Sequence, residues 1–93
     1  MAYQFDWDEA KNALNRRDHG FGFELAAKVF DDPLAVDFDD ARFDYGEDRF
    51  VTVGMVRDRL LHVTYTQRGD TIHIISARGA EPHERRKYHE ESR

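Results

Sequence analysis

Apolar and polar residues change their spacing along the chain, and each change marks an element. Tyr3 to Trp7 is a short extended piece. Asp8 then opens a helix running through Arg17, with an Asp that can cap free amides at its start and Gly20 to stop it. A second, shorter helix is predicted over 23–30, ended by Asp31-Asp32-Pro33. Leu34-Ala35-Val36-Asp37-Phe38 alternates and reads as a strand, and residues 39–48 form a polar loop. Three stronger strands follow at 49–56, 60–66 and 71–77, rich in Val, Ile, Leu, Thr and Tyr. The last helix begins near Pro82, a residue suited to a first helical turn, and Tyr88 is its one large apolar residue.

Gln67-Arg68-Gly69-Asp70 is the turn between the last two strands. With Arg68-Gly69 as a two-residue turn, Thr66 faces Thr71. Leu61, Val63, Tyr65, Ile72 and Ile74 then share an apolar core face. His62, Thr64, Thr66, Thr71 and His73 share the other, with only Ile75 clearly apolar there. Placing Val51, Val53 and Met55 on the core side requires an odd-length loop at Arg57-Asp58-Arg59. The polar face is wide and rich in hydrogen-bonding groups, so it can receive a ligand.

Composition narrows the class. The 93 residues, 40% hydrophobic and 35% charged, suit a single small domain over 1–93 with a thin core. No apolar run is long enough to span a bilayer, and the N-terminus has no pattern of a secretory signal. The chain has no cysteine, which excludes disulfides, thiol catalysis and thiolate zinc sites and leaves the cytoplasm as the expected location. The net charge is −5, but residues 31–48 alone contribute −7 through eight acids and one base. The rest of the chain is net +2, so a basic surface can coexist with an acidic average.

The same register sets Arg59 opposite Arg78, with Arg57 nearby and Arg85-Arg86-Lys87 one helix away. Like charges facing each other are unfavourable unless an anion sits between them, and Arg grips phosphate in a planar, bidentate way. That end of the sheet is a candidate phosphate site; ordinary salt bridges with Asp58, Glu81 and Glu84 are the alternative account. His62 and His73 lie on neighbouring strands without a third metal ligand, so no metal site is expected. His19, in Asp18-His19-Gly20, is either a capping histidine or a general acid or base.

Several segments resemble a known family in order and spacing. Phe5-Asp6-Trp7-Asp8-Glu9-Ala10-Lys11, Asn15, His19-Gly20 and Phe23 resemble the opening of the BrnT toxins, and 24–33 their second helix. Gly46-Glu47-Asp48-Arg49-Phe50, Arg59-Leu60-Leu61, Arg68-Gly69-Asp70, 74–80 and Glu84-Arg85-Arg86-Lys87-Tyr88 continue the likeness over nearly the whole chain. The chain departs from it at Asp18, His73 and Glu81, where the family often has Lys, Arg and a hydroxyl cap.

The resemblance implies a type II toxin of the RelE-like ribonuclease superfamily. The implied fold is α+β: a small antiparallel sheet of four to five strands, two N-terminal helices and one C-terminal helix. The implied activity is metal-independent endoribonuclease cleavage of RNA that blocks translation, with no cofactor. The implied partner is a BrnA-like ribbon-helix-helix antitoxin, bound as a dimer in a hetero-oligomer. Arg59, Arg78 and Tyr88 match positions used by related toxins; with His19 they form the expected catalytic set, and Arg57, Arg49, His62, His73 and Arg86 the expected RNA contacts. The competing readings are a non-enzymatic protein-interaction module and a degenerate toxin without nuclease activity.

Overall fold

In the computed structural model, which describes residues 3–39 and 47–91, five strands form one sheet in the order β1-β5-β4-β3-β2. The elements are β1 (Gln4–Trp7), α1 (Glu9–His19), α2 (Phe23–Ala26) continuing as a 3-10 turn (Ala27–Asp31), β2 (Val36–Asp39), β3 (Phe50–Val56), β4 (Arg59–Arg68), β5 (Thr71–Gly79) and α3 (Pro82–Glu91). Strands β2 to β5 are antiparallel neighbours, as expected, and β1 adds a parallel edge beside β5. Of the polar loop expected over 39–48, Asp39 belongs instead to β2, Glu47 and Asp48 lie among the described residues, and 40–46 fall outside them.

Helix α1 starts and stops where its sequence directs. The Asp8 carboxylate accepts from the Ala10 and Lys11 N–H groups at 2.8 and 3.3 Å, and Gly20 takes the left-handed conformation at φ 82°. Two buried asparagines on its inner side tie it down. Asn12 Oδ1 accepts from the Phe23 N–H at 2.7 Å. Asn15 donates to the Phe21 carbonyl at 3.0 Å and accepts from the Ala77 N–H at 3.3 Å. Buried amides of this kind are fixed because leaving either partner unpaired costs a desolvated polar group.

The turns differ from the sequence expectation by small shifts with large consequences. Arg57-Asp58 closes the β3–β4 hairpin as a two-residue turn, with Arg57 at φ 58° and Val56 opposite Arg59. The turn is therefore even, and Val51, Val53 and Met55 point away from Leu61 rather than with it. At the next hairpin the turn residues are Gly69-Asp70, Gly69 at φ 61°, and Arg68 faces Thr71. This slides the expected register by two positions, which preserves the faces. A bulge then follows: Tyr65 faces Ile74 while Thr64 faces Ser76, so Ile75 is the extra residue. Beyond it the alternation of β5 is inverted. Ala77 turns into the core, and Arg78 faces His62 on the opposite side of the sheet from the Arg59 it was expected to meet.

Both faces of the sheet carry a core. Under α1 and α2, Phe21, Phe23, Ala26, Val29, Val56, Leu61, Val63, Ile72, Ile74 and Ala77 form one buried cluster, with Trp7, Phe30 and Tyr65 against it. The 3-10 turn approaches this face so closely that a Cβ on Gly54 would sit 2.6 Å from Val29 Cγ2. The second face holds a smaller cluster of Val36, Val53, Leu60 and Tyr88, capped by α3. Of the residues displaced by the even turn, Val51 and Val53 are buried after all, and Met55 packs partly buried against the cluster under α3.

Candidate nucleic-acid interface

The second face is only partly covered. Alternation along the strands, read against the buried Leu61, Val63, Ile72, Ile74 and Ala77, sends His62, Thr64, Thr66, His73, Ser76 and Arg78 to it. Pairing arranges them in rows across the sheet. Val53, His62 and Arg78 make one row; Val51, Thr64 and Ser76 the next; Thr66, His73 and Asp6 a third. Arg49 precedes Phe50, which faces Tyr65, so it arrives level with Thr66. The Thr66 hydroxyl donates to the Asp48 carbonyl at 2.7 Å and fastens this segment to the same face. Arg49 and Arg78 therefore stand at the two ends of one polar strip, on which Thr64 and Thr66 are buried, His73 and Arg78 half-buried and Ser76 exposed, with α3 along one side.

At the α3 end, Glu84 organises the charges. Its carboxylate is buried and takes a two-pronged grip from Arg78, 2.9 Å on each oxygen, while Arg78 also donates to the Gly79 carbonyl at 3.0 Å. Glu84 Oε1 accepts from the Glu81 N–H at 2.8 Å, a helix-capping contact from the third residue of α3 back to its start. Burial pushes the Glu84 carboxyl up, but Arg78, the Glu81 amide and His62 outweigh it and hold it below the usual carboxylate range. His62 lies 3.4 Å from Glu84 Oε2; desolvation and Arg78 pull its imidazole below the ordinary value despite Glu84. Arg78 spends both Nη1 hydrogens and one Nη2 hydrogen on these contacts. The Nε–H and the second Nη2–H form the other edge of its plane, a geometry that fits a phosphate side-on.

At the other end, His73 Nδ1 lies 2.7 Å from Asp6 Oδ1, across the parallel β1–β5 pair. Glu47 bonds Arg68 at 3.0 and 3.3 Å. Arg68 chiefly, with His73 and Arg49 adding to it, holds the Glu47 carboxyl below its ordinary value. Glu47, Arg49, His73 and Arg68 thus share one electrostatic neighbourhood.

The remaining expected site residues lie elsewhere. Arg59 projects to the other face, its guanidinium 4.8 Å above the Phe21 ring. His19 sits exposed at the end of α1, which also belongs to that side. Arg57 is exposed at the β3–β4 turn, and Arg86 on the outer side of α3. Tyr88 is 5% exposed; its ring fills the second core and its hydroxyl donates to Asp32 Oδ2 at 2.6 Å. Asp32 also accepts from the Met55 and Leu34 N–H groups at 2.7 and 2.9 Å. Burial raises the Asp32 carboxyl, and these three donors outweigh it to leave it low.

Sequence reasoning did not single out Glu84, Asp32 or Asp6 for these roles. Asp32 was legible only as part of a helix stop, and Glu84 only as a surface salt-bridge partner. The slip in alternation from Ile72 and Ile74 to Ala77 was the available signal for the bulge.

Among the described residues, Glu81, His83 and Glu84 bring three potential metal-ligand atoms within 4.8 Å, but the Glu84 oxygens are already engaged by Arg78 and the Glu81 amide. No described helix is long and apolar enough to cross a membrane. A family model described as "Ribonuclease toxin, BrnT, of type II toxin-antitoxin system" matches residues 7–84. No curated protein matches the chain.

Proposed function

The chain belongs to the BrnT family of ribonuclease toxins of type II toxin–antitoxin systems, and from that premise we propose that it is an endoribonuclease that cuts RNA laid along the β5 side of the polar strip, past His73, Ser76 and Arg78. The observation that carries this reading is the bulge, which aims Arg78 onto the face that also bears His62, His73 and the Glu47–Arg49 segment. RNA needs no metal for cleavage, because its 2′-hydroxyl can attack the adjacent phosphorus. The protein must align the attack, neutralise the charge that develops on the phosphorane and handle two protons. In this proposal Arg78 offers its Nε–H edge, beside which Glu81 Oε1 lies 3.9 Å from Nη2, to one backbone phosphate and Arg49 meets a neighbouring one. Glu84 holds the Arg78 plane, and Tyr88, through Asp32, holds α3 beside the strip. The products are a 2′,3′-cyclic phosphate and a 5′-hydroxyl. Arg59 and His19, on the far side, take no part in the reaction.

A BrnA-like ribbon-helix-helix antitoxin is the proposed partner, neutralising the toxin by covering this strip. Inhibition of translation through loss of message and a cytoplasmic site of action follow from the same reading. The test is purified, antitoxin-free protein incubated with RNA in the presence of chelator. Wild type should generate cyclic-phosphate ends, and both Arg78→Ala and Arg49→Ala should lose most of that activity while melting cooperatively. Cleavage at the wild-type rate by both folded variants would remove the strip from the mechanism. Intact RNA with the wild type would favour the interaction-module reading, in which the acidic stretch over 31–48 and an apolar sheet edge meet a protein partner.

A further inference from the structure

We propose that His73 is the general base that takes the proton from the attacking 2′-hydroxyl, and that Asp6 is its positioning residue; this rests on the ribonuclease reading above. The argument begins with placement. His73 sits between Ile72 and Ile74, both buried on the first face, so its imidazole must emerge on the strip. Its side chain is 22% exposed, enough to be reached and enclosed enough to be held.

What holds it is a single carboxylate. The 2.7 Å contact between Nδ1 and Asp6 Oδ1 keeps the ring proton on Nδ1 and leaves the lone pair on Nε2. A base oriented by a third group is the arrangement that proton-transfer catalysis requires of an imidazole. Four groups surround it: Asp6 from β1, Arg68 from β4, and Glu47 and Arg49 from the segment before β3.

Distance along the sheet then decides which phosphate is cut. Arg49 is level with Thr66, and Thr66 faces His73, so Arg49 and His73 stand about two strand spacings, roughly 10 Å, apart at the backbone. An extended guanidinium and an imidazole can meet one phosphodiester across that gap. Arg78 lies five residues further along β5, roughly 15 Å away, and so grips a flanking phosphate. In the step itself the 2′-oxygen forms a bond to phosphorus as its proton passes to His73 Nε2. The bond from phosphorus to the 5′-oxygen breaks, that oxygen takes a proton from water, and His73 returns its proton to solvent.

The test uses the full chain and an oligoribonucleotide with one cleavable phosphodiester. His73→Gln should lower kcat about 100-fold with KM within about threefold, and added imidazole should restore part of the rate to His73→Ala. Imidazole 15N shifts should place the proton of His73 on Nδ1 in the wild type and on a mixture of nitrogens in Asp6→Asn, which should lose about tenfold in kcat while Asp6→Glu recovers part of it. A wild-type enzyme that cleaves while folded His73→Gln matches its kcat overturns the assignment and leaves the ribonuclease reading standing. A wild type that does not cleave fails that reading instead, and a lack of imidazole rescue in a folded His73→Ala counts against a base at this position.

Discussion

The two faces of the sheet are built on different physics. The face under α1 and α2 is held by apolar contact: ten residues are buried there in one cluster, and of the amides that intrude, Asn15 is matched to backbone on both sides while Asn12 accepts from the Phe23 N–H and donates to the Glu9 and Glu24 carboxylates. The face under α3 has four buried hydrophobic members, and its remaining coherence comes from charge: Tyr88 on Asp32, Glu84 on Arg78 and His62, and the Lys87 ammonium 4.5 Å above the Phe38 ring. One face is made to be dry. The other carries a polar strip, and the groups that stabilise α3 are the same groups that orient Arg78.

Substitutions that strike one face at a time sharpen this contrast. Leu61→Ala, at 0% exposure in the first core, should cost about 2–5 kcal/mol, read from urea denaturation. Glu84→Gln should cost about 2–3 kcal/mol, since it leaves the Arg78 charge and His62 without their buried partner, and should also weaken RNA cleavage. If folded Glu84→Gln cleaves RNA at the wild-type rate, or folded Leu61→Ala loses as much activity as Glu84→Gln, the division between a structural and a functional face fails.

Acid should reach the α3 face first. His62 resists protonation when folded, whereas the unfolded chain takes up that proton below about 6.5, so stability falls as pH drops through that value. Asp32 and Glu84 are held low when folded, so their contribution is present above their ordinary values of 3.8 and 4.5 and is lost as pH falls through the folded ones. Thermal melts from pH 7.5 to 3.5 should show both stages, and Glu84→Gln should flatten the lower one.

Smaller effects complete the series. Tyr88→Phe keeps the ring and removes one donor to a carboxylate that retains two others, so about 1 kcal/mol and faster hydrogen exchange in α3 are expected. Arg59→Ala loses a contact over Phe21 worth roughly 0.5 kcal/mol and should leave RNA cleavage within about twofold of wild type. A large loss of activity in Arg59→Ala would bring the two faces back into one site.

Much of the molecule was legible in one dimension. The Asp8 cap, the Gly20 stop, the three-strand run and the helix at Pro82 each follow from local rules that tertiary contacts had only to accept. The resemblance to BrnT toxins was also carried by residue order. The geometry of the candidate site was not, for one reason: side-chain direction in a strand has a period of two, so any odd slip exchanges the faces. Arg59 and Arg78 were placed together by a register with no bulge. The bulge at Ile75 separates them, because burying Ala77 above Asn15 is possible only if the strand gives up one paired residue.

The sequence by itself determined which segments are helix or strand and which family the chain resembles. Those are properties of neighbours along the backbone. The tertiary structure alone decided that Glu84 reaches Arg78, that Asp6 reaches His73 and that Tyr88 is an anchor rather than an exposed ring. The Asp6–His73 contact exists because β1 lies directly beside β5 in parallel register, and Arg78 shares a face with His62 because one extra residue in β5 reverses its alternation; neither is a property of neighbours along the chain.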